Sequence, residues 1–136
     1  MKKIARLSNE ERQELFLSTA IKMGMRPEVI EKDFWVCFML DHLFHDCEYK
    51  NAFVFKGGTS LSKAYHVIKR FSEDIDLILD WRKIITDASN PWDDRSRTKQ
   101  DSYNKQINKE AAMFYRDSLV PKLKEELSDK LGKENT

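Results

Sequence analysis

Two aspartates separated by one residue, Asp74 and Asp76, are the side chains in this sequence best suited to metal chemistry. They open a segment that alternates charged and apolar residues and then turns apolar up to Leu79, which predicts a β-strand. Because side chains at i and i+2 of a strand share a face, both carboxylates can converge on Mg²⁺. Two such ions activate an attacking hydroxyl and neutralise a leaving pyrophosphate. Alone, the pair is equally compatible with a solvated strand end.

A candidate phosphate-binding turn precedes the aspartates. The apolar segment 51–55 predicts a buried strand, and Thr59 suits the N-cap of a helix that follows the turn. Glycines permit a tight turn and close approach of a phosphate, while a helix start supplies N–H donors and positive potential. The residues placed to hold a phosphate are Lys56, Gly57, Gly58, Thr59, Ser60 and Lys63. A Gly-Gly before a helix is by itself usually a plain turn, and the Walker A spacing is absent.

Helical patterns flank both motifs. The series Ser8-Asn9-Glu10-Glu11 has the form of a capping box, and Gly24 offers the stop of the helix that it begins. A second helix is predicted from Pro27 to about His45, largely buried because its apolar residues cover more than one face. A last helical pattern runs over 98–131, and Pro121 should break or kink it.

The bulk composition predicts a single domain spanning 1–136. Its parts are an N-terminal helical region (8–48), a strand-helix-strand unit (49–81), a polar loop (82–97) and a C-terminal helical region (98–132). The formal charge of +1 argues neither for nor against binding of nucleic acid, so any basic site must be local. No signal peptide and no apolar run long enough for a bilayer are visible, so we expect a cytoplasmic protein without a membrane partner.

The thiols and imidazoles carry no zinc signature. Cys37 lies in an apolar run, which predicts a buried and chemically inert thiol, and Cys47 forms no Cys-x-x-Cys pair with it. His42 and His45 lie near the end of the second predicted helix and are expected to be surface residues.

Taken together, the two motifs resemble a known signature. The segments 55–65 (FKGGTSLSKAY) and 70–77 (RFSEDIDL) closely resemble the AbiEii/AbiGii abortive-infection toxins, nucleotidyltransferases of the DNA polymerase beta superfamily. The segment 31–35 (EKDFW) is also similar to that family's N-terminal region. The likeness spans roughly residues 8–80 and is weaker in the C-terminal helix.

This resemblance implies an α+β fold, nucleotidyltransferase-like and mostly helical by residue count, with a small sheet flanked by helices. It implies transfer of a nucleotide from a nucleoside triphosphate, with Asp74 and Asp76 as catalytic Mg²⁺ ligands in a two-ion site. Gly57, Gly58, Thr59 and Ser60 would hold the triphosphate, and Lys63 would contact a phosphate. The implied partners are an acceptor such as tRNA and a cognate antitoxin.

The chain departs from the superfamily pattern in one respect. After Asp80 no further strand is predicted that would carry the usual third carboxylate, so we expect an incomplete or truncated version of the fold. Because a two-stranded sheet leaves an edge open, we also expect a homodimer through that edge or through the C-terminal helix.

Two other functions remain open on the sequence. A catalytically inactive or truncated module acting through protein–protein contacts would explain the missing carboxylate and the apolar stripe of the last helix. A DNA-binding regulator is disfavoured by the near-neutral charge and by the lack of a basic recognition helix.

Overall fold

The computed structural model describes residues 1–57, 74–85 and 89–132. The helices and strands within these ranges are α1 (Lys2–Ala5), α2 (Asn9–Met23), α3 (Pro27–Asp41), β1 (Phe53–Lys56), β2 (Asp76–Leu79), α4 (Arg97–Phe114) and α5 (Val120–Leu131). Two π-helical turns, His42–Asp46 and Tyr115–Leu119, extend α3 and join α4 to α5, and short 3₁₀ turns cover Lys50–Ala52 and Trp81–Lys83. The chain is mostly helical with a small two-stranded sheet, which confirms the predicted α+β class.

The predicted capping box begins α2. The Ser8 hydroxyl accepts a hydrogen bond from the Glu11 backbone N–H at 3.2 Å, and the Glu11 carboxylate accepts one from the Ser8 backbone N–H at 3.0 Å. At the other end, Gly24 adopts a left-handed conformation with φ of 64°. Both boundaries therefore follow from local chemistry, as the sequence predicts.

Replacing Ser8 by alanine is expected to lower the free energy of unfolding by about 1 kcal/mol, because one helix-start donor loses its acceptor. A urea titration followed by circular dichroism measures the change. Ser18→Ala, an exposed serine within the same helix, is the matched control and should change stability by less than about 0.5 kcal/mol. Equal losses in the two variants would contradict a capping role for Ser8.

The two strands form an antiparallel pair. Phe53 lies opposite Leu79 and Phe55 lies opposite Leu77, and these four side chains are buried or half-buried. The other face of the sheet is exposed along its length, with Val54 retaining 54% of its accessible surface. One face of the sheet thus belongs to the core, and the other is open among the residues described.

Both strands are shorter than the sequence predicts. Residues 50–52 form a 3₁₀ turn, so β1 begins at Phe53, two residues later than expected. Asp74 precedes β2, which begins at Asp76. The two aspartates are therefore not both strand residues.

The core lies between the inner face of the sheet and the junction of α4 with α5. Its buried members are Leu43, Cys47, Phe53, Phe114 and Leu119. The Phe114 ring meets the Tyr49 ring edge-on, with 4.9 Å between the centroids. This aromatic contact connects the helical C-terminal region to the segment that leads into β1.

A polar seam joins α5 to the turn that ends α3. Three side chains spaced four residues apart on α5 each contact a residue within that turn or just after it, and the pairs are Lys122–Glu48, Glu126–His42 and Lys130–Asp46. The Lys130 ammonium, hydrogen-bonded to Asp46, holds the pKa of that carboxyl below its ordinary value. Spacing by four residues places the three α5 side chains on one face of the helix.

Arg6 connects the start of the chain to the same helix. Its guanidinium donates to the backbone carbonyls of Asp129 at 3.0 Å and Lys130 at 2.8 Å. The last carbonyls of a helix lack partners within it and carry partial negative charge, so a cation is favoured there.

Two expectations from the sequence were wrong. His42 is almost fully buried and contacts Glu126 of α5, whereas His45 is exposed as expected. Cys37 is half-buried, and Cys47 is the buried thiol. The C-terminal helical pattern is divided near Pro121, as predicted: Pro121 lies in the first turn of α5, directly after the second π-helical turn, where its missing N–H costs little.

Of the helices that the structure describes, none combines the length and the apolar character that a bilayer span requires.

Candidate active site

Gly57 ends the first strand in a conformation that few other residues adopt. Its φ is +79°, in the left-handed region. The preceding residue, Lys56, is exposed and lies opposite Asp76 in the strand register. The glycine therefore marks the point where the chain turns away from the sheet, at the end that carries Asp76.

The Asp76 side chain packs directly against the Gly57 backbone. A Cβ atom placed on Gly57 would lie 2.7 Å from Asp76 Cγ and 2.8 Å from Asp76 Cβ, closer than real Cβ contacts allow. A side chain at position 57 would therefore force the Asp76 side chain to shift. The fold thus brings together a glycine turn, a lysine and an exposed carboxylate at one end of the sheet.

Asp74 lies two residues before β2 and is exposed. It lines a cavity of about 620 Å³ between the start of this strand segment and helix α3. The other residues of the lining are Glu28, Glu31, Lys32, Trp35, Val36, Met39 and Ile75. The cavity places acidic, basic and aromatic groups within the same concave surface as Asp74.

The α3 residues of this cavity were not singled out as site residues by spacing or periodicity. Trp35 stands within an aromatic group, with its ring 5.0 Å from that of Phe34 and 5.7 Å from that of Phe38, centroid to centroid. The Arg12 guanidinium lies 5.3 Å from the Trp35 ring centroid. The family resemblance of segment 31–35 was the one sequence feature that could have pointed to these residues. An apolar stripe on a helix, however, more often indicates packing against the core.

Asp80 is a third acid close in sequence to Asp74 and Asp76, but it is engaged elsewhere. Arg82 donates to its two oxygens at 2.8 and 3.2 Å, and this pairing lowers the pKa of the Asp80 carboxyl below its ordinary value. Among the residues described, the two strands carry no acid besides Asp76. Two further carboxylates, Glu28 and Glu31, share the cavity lining with Asp74.

The donor chemistry of this region suits a hard divalent cation. Mg²⁺ takes carboxylate oxygens, keeps several waters and completes its shell with substrate phosphates. Asp74 and Asp76 are both exposed, which leaves room for those waters and for a substrate. The predicted phosphate-binding residues Gly58, Thr59, Ser60 and Lys63 lie outside the described residues, whereas Lys56 lies opposite Asp76 in the sheet and Gly57 lies against its side chain.

Replacing Gly57 by alanine is expected to cost about 1–2 kcal/mol of backbone strain and, in addition, to displace the Asp76 carboxylate. The matched control is Gly24→Ala, because Gly24 has a similar φ of +64° but nothing within 4 Å of its would-be Cβ. Urea unfolding of both variants separates the cost of backbone strain from the cost of displacing Asp76. The free energy of unfolding should fall more for Gly57→Ala than for Gly24→Ala. If the two losses agree, the contact between Gly57 and Asp76 does not constrain the site.

Comparison with known proteins gives one family. The family model described as nucleotidyl transferase AbiEii toxin, type IV toxin–antitoxin system, matches residues 39–135. This range contains both motifs and extends through α4 and α5, where the sequence likeness was weaker. No curated protein and no solved structure matches the chain.

Proposed function

The chain belongs to the AbiEii nucleotidyl transferase toxin family, and from this premise we propose that it transfers a nucleotide from a nucleoside triphosphate to an acceptor RNA. Asp74 and Asp76 are the proposed Mg²⁺ ligands. Gly57 to Ser60 are the proposed triphosphate-binding turn, with Lys56 and Lys63 supplying positive charge. The observation that carries the proposal is the packing of the Asp76 carboxylate on the Gly57 backbone, since it unites the two motifs at one end of the sheet.

In this reaction the acceptor hydroxyl attacks the α-phosphorus of the triphosphate. A new P–O bond forms to the acceptor, the bond between the α- and β-phosphates breaks, and pyrophosphate leaves with the negative charge. Bound Mg²⁺ would neutralise charge on the phosphates and lower the pKa of the attacking hydroxyl. Asp74 and Asp76 position the cation, and Lys56, exposed opposite Asp76, offers a cation to the phosphate oxygens.

The cavity beside Asp74 is the proposed site for the nucleoside. Its volume of about 620 Å³ suits a ligand of that size. Trp35 offers an aromatic face for a base, and base–aromatic stacking contributes about 1–3 kcal/mol. Glu31 is the proposed acceptor of the proton from the attacking hydroxyl, because it shares this lining with Asp74.

Calorimetric titration of each nucleoside triphosphate with Mg²⁺ into the chain tests whether the proposed site binds the nucleotide donor. Saturable binding to the native chain and none to the Asp74→Asn/Asp76→Asn double variant is the expected result. Binding that persists in the double variant, or that does not need Mg²⁺, would overturn the assignment of these ligands. A labelled nucleoside triphosphate incubated with bulk RNA and Mg²⁺ tests the acceptor, and incorporation into tRNA is the expected product.

The family also bears on partners. A cognate antitoxin is proposed because the family consists of toxins of toxin–antitoxin systems, and a cytoplasmic location follows from an RNA acceptor. A homodimer through the open sheet edge or through α5 is proposed as well. It would be tested by sedimentation velocity over a wide range of protein concentration.

A non-catalytic interaction module is the second candidate. It is favoured by the exposed apolar side chains on the outer sheet face, where Ile78 retains 48% of its accessible surface. Under this alternative the melting temperature would rise with protein concentration and would not respond to Mg²⁺ or nucleotide.

A further inference from the structure

A buried group of metal-competent side chains lies at the C-terminal end of α3 and does not include Asp74 or Asp76. His42, Cys47 and Glu126, here called the buried triad, each offer a ligand atom, and these atoms all lie within 4.8 Å of one another. His42 and Cys47 each retain 1% of their accessible surface, and the Glu126 side chain retains 17%. The catalytic proposal uses none of the three.

The π-helical turn His42–Asp46 creates this proximity. Side chains five residues apart on an α-helix point roughly 140° away from each other. Here the Cys47 backbone N–H donates to the His42 carbonyl at 2.8 Å, an i to i+5 bond that closes a wider turn. A helix that widens by one residue brings positions 42 and 47 to the same side, and such turns are frequent at functional sites.

Glu126 reaches the other two from α5. Its Oε2 lies 2.8 Å from His42 Nε2, and its Oε1 accepts from the Glu48 backbone N–H at 3.2 Å. The carboxylate is therefore positioned by two contacts from the facing turn. An oxygen, a nitrogen and a sulfur ligand converge from two separate segments of the chain, and these are the three types of ligand atom that Zn²⁺ takes in proteins.

The contacts of the metal-free site leave one nitrogen of the His42 ring unsatisfied. His42 Nδ1 is buried, and among the described residues it has no hydrogen-bond partner. A buried polar atom left unsatisfied costs about 1–3 kcal/mol. The other nitrogen, Nε2, faces Glu126, so a cation bound between them would take the Nε2 lone pair and leave the ring proton on Nδ1.

We propose that the buried triad binds one borderline-soft divalent cation, Zn²⁺ or a metal of the same class, at a structural site that joins α5 to the end of α3. Mixed nitrogen, sulfur and carboxylate donors favour such a metal over Mg²⁺. Bond lengths of about 2.0–2.3 Å imply ligand separations of about 3–4 Å. The His42 and Glu126 ligand atoms, 2.8 Å apart without a metal, would therefore move slightly apart on binding, and the wider separations within the triad would close. Cys47 binds as the thiolate, and its proton passes to the solvent without any redox change.

Burial raises the pKa of the Cys47 thiol, so the metal-free site keeps its proton and the residue stays an inert core side chain. A bound divalent cation reverses that preference, because a coordinating thiol is deprotonated outright. The released proton is a direct sign of thiolate binding, measurable as a buffer-dependent enthalpy.

The first test is a titration of the native chain with ZnCl₂ in the presence of excess MgCl₂, which occupies the hard-oxygen ligands. We expect one equivalent bound, a raised melting temperature, and, with CoCl₂ in place of ZnCl₂, a near-ultraviolet sulfur-to-cobalt charge-transfer band. Cobalt bound without that band would overturn the proposal, as would the absence of saturable zinc binding.

Substitutions at the cysteines and at His45 test which side chains bind the metal. Cys47→Ala should weaken zinc binding by about 100-fold or more, since even outer-shell partners are worth about 10–100-fold. Cys37→Ala, the matched control at the chain's other thiol, should leave zinc binding unchanged, and so should His45→Gln at the exposed histidine. Zinc affinity that falls with Cys37→Ala and not with Cys47→Ala would refute the assignment. If Cys47→Ala does not fold, the cobalt spectrum of the native chain decides.

Discussion

Replacing Asp76 by asparagine is expected to weaken Mg²⁺-dependent nucleotide binding by about 100-fold or more while leaving the chain folded. The substitution keeps the shape of the side chain beside Gly57 and removes the charge that a hard cation requires. Loss of an outer-shell partner alone costs about 10–100-fold, so loss of a direct ligand should cost at least the upper end of that range. Isothermal calorimetry with Mg²⁺ and the preferred nucleoside triphosphate measures the change.

Asp94→Asn is the control for this experiment. Asp94 is an exposed aspartate of the polar loop between β2 and α4, so its replacement makes the same chemical change away from the sheet. It should leave nucleotide affinity within about twofold, because scattered surface charges contribute little. Similar losses in the two variants would mean that net charge governs binding and that Asp76 is not a metal ligand.

Replacing Phe114 by alanine should give the largest loss of stability, about 3–5 kcal/mol. Its ring is 8% exposed, belongs to the core cluster beneath the sheet and meets the Tyr49 ring edge-on. Truncation removes both the buried apolar surface and the aromatic contact, and it leaves a cavity where the end of α4 packs against Tyr49. The shift in the urea midpoint at constant m-value measures the loss.

Met113→Ala makes a comparable truncation one residue earlier, at a side chain that is 46% exposed. It should cost less than about 1 kcal/mol, since alanine also favours the helix. A loss below about 1 kcal/mol for Phe114→Ala would show that α4 is not anchored by this ring, and that the polar seam on α5 holds the C-terminal region in place.

Features set by neighbouring residues were predictable from the sequence. Ser8 with Glu11 begins α2, and Gly24 ends it, because capping depends on side chains within one turn of the helix end. The two strands were predicted from their apolar runs. Their first residues were misplaced, because the 3₁₀ turn before Phe53 competes with strand extension and periodicity does not register it.

Burial set by distant residues was not predictable. His42 was expected at the surface but is buried, and its ring contacts Glu126, which is 84 residues away in the chain. Cys37 was expected to be buried but is half-buried, whereas Cys47 lies in the core cluster with Phe114 and Leu119, which come much later in the chain. The sequence around His42 contains no pattern that predicts a contact with Glu126.

The candidate site falls between these two cases. Asp74, Asp76 and Gly57 were selected as residues from their spacing and from the family likeness, and the structure describes all three near the end of the sheet. The packing of Asp76 on Gly57 was not foreseen, because the sequence argument used the glycine for a phosphate. The α3 cavity residues were overlooked, because a helix rich in aromatic residues resembles a core element whichever surface it lines.

The contacts of α5 bear on when this protein becomes folded during its synthesis. Arg6 contacts Asp129 and Lys130, which are translated more than 120 positions later, and His42 contacts Glu126, which is translated 84 positions later. Such separations raise contact order, which slows folding. The segment before α2 and the turn after α3 therefore form these contacts only after α5 has left the ribosome. A ribosome stalled before α5 would present His42, Cys47 and the underside of the sheet to chaperones and proteases.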